Sequence, residues 1–212
     1  MTTTLADWAD VRGVLGRPGD MRRFMYHTAF PRRDLRVCSR GILIRPALAL
    51  GTHVSFVRYA DGSTLLMGDI VVSEGELQTF CDLLHRHGIM QSALHKHLLA
   101  HESDVWWVHA HAHGHDPVAL ARGLRAALER TGTPPAEPAG SAPPVDLDTI
   151  AIDTAMGVKG AADDGIYRCA PTSAARPSPT VPWSCPPDWV PPRPPTSSRW
   201  AAGGPPSAAT WS

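Results

Sequence analysis

Residues 54–84, VSFVRYADGSTLLMGDIVVSEGELQTFCDLL, contain the pattern that decides the fold. Two apolar segments, 54–59 and 63–71, are separated by Asp61-Gly62, a dipeptide typical of tight hairpin turns. After the second segment, the spacing of apolar residues changes from the period of a strand to that of a helix. The stretch therefore predicts a β-hairpin that leads directly into a helix.

The predicted helix has signals at both ends. Ser73 followed by Glu76 forms a capping box, and Gly88 supplies a C-terminal stop. One face of this helix is apolar and consists of Leu77, Phe80, Cys81 and Leu84.

A second unit of two strands and a helix follows. Residues 89–99 and 105–113 predict the strands, and Asp116-Pro117 supplies an N-cap and a proline at the first helical position. The apolar face of this helix consists of Leu120, Ala121, Leu124 and Leu128. The order ββαββα predicts an α+β domain with two layers, in which the helices cover one face of the sheet.

Upstream of the hairpin the pattern is weaker. Apolar residues at helical spacing predict a short helix over residues 5–15, which Gly16 ends. Residues 17–52 are rich in arginine and proline, and only residues 42–44 favour a strand. We expect the rest of this segment to be loop.

The composition divides the chain into four parts. Residues 1–132 form the predicted domain, and residues 133–146 form a linker rich in proline and alanine. Residues 147–168 predict the start of a truncated second copy, because a constant offset of 141 aligns four pairs of identical residues. These pairs are Asp7 and Asp148, Gly16 and Gly157, Gly19 and Gly160, and Tyr26 and Tyr167.

The fourth part, residues 169–212, holds twelve of the 21 prolines and has no Leu, Ile, Met or Phe. Such a segment buries too little apolar area to offset chain entropy, so we expect it to be disordered. Its bias to Pro, Ser, Ala, Arg and Trp is also what a GC-rich gene gives when it is read out of frame. A natural disordered tail and a frameshift product both remain open.

Several classes of protein do not fit the composition. The 20 basic and 20 acidic residues balance, whereas nucleic-acid binders usually carry a basic excess. No apolar run approaches the roughly 18 residues of a membrane span. The first residues show neither a secretory signal nor a lipid-attachment cysteine, so we expect a cytoplasmic location. The four cysteines contain no C-x-x-C pair, which argues against a disulfide framework or a cysteine zinc site.

Histidine is the anomaly, since nine of the eleven histidines fall between His85 and His115. Side chains alternate across a strand, so His95 and His97 share one face of the first predicted strand. His109, His111 and His113 share one face of the second. Both faces lie opposite the most apolar residues of their strands. If the two strands pair as a hairpin with His97 opposite His109, His95 lies opposite His111.

Four converging imidazoles predict a site for a divalent transition metal, with zinc as the first candidate. We therefore take His95, His97, His109 and His111 as candidate metal ligands. Asp69, Glu102 and Asp104 are candidate carboxylate ligands or hydrogen-bond partners of the ligating histidines. A solvated His-rich strand that binds metal adventitiously remains an alternative, as does a protonation cluster without metal.

A set of motifs resembles the LppY/LpqO family, a bacterial domain of unknown function that is often duplicated and often found in exported lipoproteins. The motifs are VRGVLGRPG from Val11, LLMGDIVVSEGEL from Leu65, SALHKHLL from Ser92, VHAH from Val108 and DPVALARGLRAAL from Asp116. The resemblance implies that Gly68-Asp69, His95, His97 and His109 belong to the family pattern. Lys96 replaces the Asn of the family's H-N-H pair. The family implies no established reaction.

Three functions remain open at this point. A metal-binding domain fits the histidines, and metal-dependent hydrolysis is the first reaction to test, although the sequence does not decide whether the chain is an enzyme. A non-catalytic binding or regulatory module would use the open sheet face to bind a small molecule or a protein. The alternating histidines from His109 to His113 also resemble a histidine triad, in which the middle histidine is a nucleophile that processes nucleotides.

Overall fold

The computed structural model describes residues 2–137 and 143–170. Part of the predicted linker, and nearly all of the predicted tail, lie outside these residues. The described chain is mixed α+β, as predicted, and its strands pair in antiparallel fashion. Within the described residues, no helix is both long and apolar enough to cross a membrane.

Six strands form the main sheet, in the order β1-β2-β5-β6-β9-β7. Their bounds are β1 Gly19–Arg22, β2 Met25–Pro31, β5 Gly51–Arg58, β6 Thr64–Ser73, β7 Met90–His95 and β9 Val105–Gly114. A smaller sheet has the order β4-β3-β8. Its strands are β3 Val37–Ser39, β4 Ile42–Ile44 and β8 His101–Glu102.

Three helices cover one face of the main sheet, as the sequence predicts. They are α1 Ala9–Leu15, which continues a short 3-10 helix at Leu5–Trp8, α2 Glu74–Arg86 and α3 Pro117–Leu128. Their apolar sides and the sheet residues beneath them form one buried core. Its members include Val11, Leu15, Tyr26, Phe56, Leu66, Ile70, Phe80, Leu84, Val108, Leu124 and Leu128.

The caps of these helices follow the sequence signals. The Glu76 carboxylate accepts from the Ser73 backbone N–H at 2.8 Å, which completes the capping box of α2. The Asp116 carboxylate accepts from two backbone N–H groups of α3, each at 2.9 Å. Each cap satisfies backbone donors that the first helical turn leaves without partners.

The other face of the sheet is partly covered by the smaller sheet, so the domain has a third, partial layer that the sequence did not predict. A second buried cluster joins the two sheets. Its members are Val37, Ile44, Leu50, Val71, Val105 and Trp107. The uncovered remainder of this face carries the histidines.

The segment 17–52 contains more strand than expected. Within β2, Tyr26, Thr28 and Phe30 alternate toward the helical core and are at most 2% exposed. Arginines and prolines on both sides obscure this period of two in the sequence. β2 then pairs with β5, and the residues between the two strands form most of the smaller sheet.

Arg32 is one of the arginines of this segment, yet it is buried within the domain. Its guanidinium pairs with Asp34 at 2.8 Å and Glu76 at 2.9 Å, and it donates to the Val71 carbonyl at 2.9 Å. The ion pairs supply the charge compensation that a buried cation needs. Arg32 therefore connects the end of β2 to the start of α2.

After the linker the chain forms helix α4 Thr149–Met156 and a hairpin of β10 Ala161–Asp163 and β11 Ile166–Arg168. The helix ends at Gly157 with a positive φ of 66°, as α1 ends at Gly16 with a φ of 64°. A Cβ on Gly160 would lie 2.6 Å from the Tyr167 ring, and one on Gly19 would lie 2.5 Å from the Tyr26 ring. Unlike α1, helix α4 has no buried residue.

Candidate metal centre

The histidines lie on the sheet face opposite the helices because side chains alternate along β9. Val108 and Ala110 point into the helical core. Trp107 and His109 therefore point to the opposite face. The sequence predicted this division, and it places the candidate ligands where solvent has access.

The strand pairing differs from the expected hairpin. Ala93 lies opposite His109 and His95 opposite Trp107, and a bulge interrupts the pairing between Gln91 and Ala93. The expected pairing of His97 with His109 and of His95 with His111 is therefore wrong. The connection is longer than predicted, because β7 ends at His95 and residues 101–102 pair with β3 as β8. The shift covers an even number of residues, so the histidines stay on the same face.

Three of the four candidate histidines still meet. His95 ends β7, His97 follows that strand by two residues, and His109 lies in the middle of β9. Their ligand nitrogens all lie within 4.8 Å of one another, and the Nε2 atoms of His95 and His109 are 3.0 Å apart. We call this group the three-histidine group.

Asp69 on β6 supplies a carboxylate beside this group. It lies directly opposite His109 in the register. Its Oδ1 is 3.5 Å from His109 Nε2, and its Oδ2 is 4.0 Å from His97 Nε2. Oδ1 is buried and accepts no hydrogen bond from any described residue. A buried carboxylate oxygen without a donor is costly, and a cation removes that cost.

Trp107 holds His97 in place. The two rings stack with centroids 4.5 Å apart and an angle of 16° between their planes. The Trp107 indole N–H donates to the Ala49 carbonyl at 3.1 Å, and the side chain is 1% exposed. The fixed indole therefore limits where the imidazole of His97 can lie.

The electrostatics favour the neutral form of His97. Burial lowers its pKa; Asp69 opposes this by a smaller effect, and the neighbouring His95 and His109 lower the pKa further. A neutral imidazole has a free nitrogen lone pair and is the form that binds a metal.

The remaining candidates lie outside the group. His111 lies opposite Met67 on one side and Met90 on the other. The carboxylate of Asp104 pairs with Lys96 at 2.8 Å, and Glu102 lies opposite Cys38 in the smaller sheet. Alternation predicts the face of His111, but the register moves it away from His95.

Sequence reasoning missed a second pair of histidines on the same face. His27 and His53 look isolated in the sequence, but β2 pairs with β5 and brings them into contact, with 3.2 Å between His27 Nε2 and His53 Nδ1. His53 lies directly opposite Asp69 on β6. Between this pair and the three-histidine group is a cavity of about 220 Å³, lined by His53, Asp69, His97, Trp107, Arg168 and the loop before β5.

The fold and the site define an α+β domain with a three-histidine group on the open face of its sheet. The chain belongs to the family DUF1529, described as Domain of Unknown Function (DUF1259), whose profile matches residues 9–130. The matched segment runs from the first residue of α1 past the end of α3 and includes His95, His97, His109 and Asp69. Searches of curated proteins and of solved structures found no match.

Proposed function

We propose that this domain binds one divalent transition metal ion, with zinc the best fit, through His95, His97 and His109, and that Asp69 supplies a fourth ligand. The observation that carries the proposal is the buried Asp69 Oδ1, which lacks a donor and lies 3.5 Å from His109 Nε2. Three imidazoles and one carboxylate form a donor set that suits zinc.

The dimensions of the group support this proposal. Two nitrogens that bind one tetrahedral zinc ion at about 2.1 Å each are about 3.4 Å apart. The Nε2 atoms of His95 and His109, at 3.0 Å, are near this distance, whereas the overall spread of 4.8 Å requires one imidazole to rotate toward the others. His97 is stacked on Trp107, and His95 is the last residue of β7. Rotation about side-chain torsions can therefore bring the imidazoles together without a change in the backbone.

For the activity, we propose metal-dependent hydrolysis as the reaction class. About 40% of the His109 side chain and 33% of the His97 side chain are exposed, and a polar cavity adjoins the group. A bound zinc with an open position lowers the pKa of a coordinated water to about 7 and so supplies a nucleophile. For hydrolysis one metal position would have to stay open, and Asp69 would then accept a hydrogen bond from a ligating histidine or from water instead of binding the metal.

A second candidate is a binding module without catalysis. Met67 and Met90 flank His111 on the open face, and they are 57% and 56% exposed. Exposed apolar side chains beside a polar site are typical of surfaces that bind a partner. In this case the metal stabilises the sheet face, and purified protein shows no hydrolysis at any metal loading.

We also propose that the chain belongs to the LppY/LpqO type and that residues 147–168 begin a second copy of the domain. The matching glycines at the ends of α1 and α4, and the two glycines beneath tyrosines, support the duplication. Re-reading the coding DNA tests both the duplication and the frameshift origin of residues 169–212. A second reading frame that restores counterparts of residues 27–115 supports a truncated copy, and its absence removes the frameshift hypothesis.

Calorimetric titration of chelator-treated protein with zinc tests the metal proposal. We expect one binding event per chain, and we expect a His95→Ala/His97→Ala variant to lose it. The matched control is His85→Ala/His87→Ala, which removes two exposed histidines at the end of α2. Equal binding by the two variants would overturn the assignment.

A further inference from the structure

Three polar side chains on neighbouring strands form a continuous row that ends beside the three-histidine group. Asp20 Oδ1 on β1 is 3.2 Å from His27 Nδ1 on β2. His27 Nε2 is 3.2 Å from His53 Nδ1 on β5. The two imidazole planes are 24° apart and their centroids are 5.3 Å apart. That geometry fits an in-plane hydrogen bond between ring nitrogens rather than face-to-face stacking.

The hydrogen bonds of this row all run in one direction, and the charge of Asp20, the final acceptor, sets that direction. Burial raises the pKa of Asp20, but hydrogen bonds from Arg22 and His27 outweigh it and hold the pKa low. Asp20 is therefore ionised at neutral pH, and an ionised carboxylate can only accept hydrogen bonds. His27 Nδ1 must therefore carry the proton that it donates to Asp20.

The two imidazoles carry this direction onward. Burial lowers the pKa of His27 more than its hydrogen bond to Asp20 raises it. A histidine of ordinary pKa is already neutral at mildly alkaline pH. Partial burial lowers the pKa of His53, as do His27, Arg22 and Arg168, while Asp69 raises it. At mildly alkaline pH each ring is therefore neutral and has one N–H. Since His27 uses its proton at Nδ1, its Nε2 accepts from His53 Nδ1, and His53 Nε2 is left without a proton.

This unprotonated nitrogen is free to accept. Among residues 2–137 and 143–170, no group hydrogen-bonds to His53 Nε2. A Cβ on Gly51 would lie only 3.0 Å from it, so the absence of a side chain at this position keeps the nitrogen open. The φ of Gly51 is not positive, so the backbone conformation does not require glycine here.

We propose that Asp20 and His27 position His53 so that its Nε2 accepts a hydrogen bond from the hydroxyl or ammonium group of a small ligand bound in the cavity beside the metal centre. The cavity is also lined by the Asp69 carboxylate, a second acceptor, and by the Arg168 guanidinium, a donor. The unprotonated His53 Nε2 itself requires a ligand with a donor, which an ionised carboxylate lacks. A role for this cavity as a substrate site rests on the proposed function. The direction of the hydrogen bonds from His53 through His27 to Asp20 does not depend on a metal.

Long-range ¹H–¹⁵N correlation of the imidazoles in whole, chelator-treated protein tests the direction at mildly alkaline pH. We expect both His27 and His53 in the Nδ1–H form, which free neutral histidine populates less than the Nε2–H form. In Asp20→Asn we expect a partial return of both rings to Nε2–H, and in the control Asp10→Asn no change. His53 as Nε2–H in the wild-type chain, or a His53 tautomer that Asp20→Asn does not alter, would overturn the proposal.

Ethanolamine, which carries a hydroxyl and an ammonium group, probes the ligand site in the same spectra, and acetate is its anionic counterpart. We expect ethanolamine to move the His53 Nε2 resonance and acetate to leave it in place. Gly51→Val should abolish the response, whereas Gly75→Val, on the exposed start of α2, should keep it. An equal response to both probes, or none to ethanolamine, would contradict the site. Because metal is absent, neither result depends on whether zinc binds.

Discussion

The Oδ1 atom of Asp69 lies 3.5 Å from the Nε2 atom of His109, its direct neighbour across β6 and β9, and it is buried with no hydrogen-bond donor among residues 2–137 and 143–170. This relationship has opposite consequences with and without a metal. Without one, an uncompensated carboxylate destabilises the fold. With one, the same carboxylate binds the ion or hydrogen-bonds its ligands.

Asp69→Asn should therefore change stability in two directions. In the presence of chelator we expect the variant to be more stable than the parent, by about 1 kcal/mol, because the Asp69 side chain is 34% exposed and only its Oδ1 is buried without a donor among the described residues. In the presence of zinc we expect a 10- to 100-fold weaker affinity, an order of magnitude typical for such partners of metal ligands. Denaturant unfolding with and without zinc measures both effects.

The control for this experiment is Asp104→Asn, which removes an exposed carboxylate paired with Lys96. It should leave both the stability and the zinc affinity unchanged, because an exposed ion pair contributes little. If Asp69→Asn destabilises the metal-free protein, the carboxylate has a donor in solution and the argument from its burial fails.

Two of the three alternating histidines of β9, His109 and His111, should behave differently. His109→Ala should lose zinc binding, because its Nε2 lies 3.0 Å from that of His95. His111→Ala should retain it, because His111 faces Met67 and Met90 instead. Zinc titration of the two single variants makes the comparison. Loss of binding in His111→Ala alone would restore the register expected from the sequence.

That comparison shows which part of the site the sequence could predict. Alternation assigns His95, His97 and His109 to one face, and this assignment survives any even shift of register. The register itself depends on the bulge at Gln91–Ala93 and on the pairing of β8 with β3, and neither has a local sequence signal. The contact between His27 and His53 also had no local sequence signal, since strands β3 and β4 separate β2 from β5 in the chain.

The buried ion pairs of Arg32 predict a large loss of stability. Arg32→Ala leaves the Glu76 carboxylate, 17% exposed, without its cation, and we expect a cost of about 3–5 kcal/mol. Arg33→Ala is the matched control, because Arg33 pairs with Glu137 at an exposed position and its loss should cost at most about 1 kcal/mol. Urea unfolding of both variants measures the difference, and equal costs would contradict the burial of Arg32.

The stability of the metal-free protein should depend on pH through His27. Burial lowers its pKa in the folded state below the ordinary value of 6.5, so the unfolded chain binds more protons in the interval between the two values. The stabilisation is complete above the unfolded value and is lost as pH falls through the folded one. Asp20, Arg22 and His53 are the charged or titratable groups that act on this ring.

Replacing His27 removes this contribution. We expect His27→Gln to flatten the pH dependence of the unfolding free energy below neutral pH, relative to the parent chain. His115→Gln, at an exposed position before α3, should leave the dependence as it is. A parent protein whose stability rises as the pH falls from neutral would show that the sign is wrong.

Metal analysis of tag-free protein, purified without added metal, is the decisive experiment for the three-histidine group. We expect one zinc ion, or another divalent transition metal ion, per chain, and X-ray absorption should show imidazole nitrogens and oxygen as its nearest neighbours. The ion should be absent from His95→Ala/His97→Ala and present in His85→Ala/His87→Ala. Parent protein that holds no stoichiometric metal, and binds none when zinc is supplied, would contradict the proposed metal site.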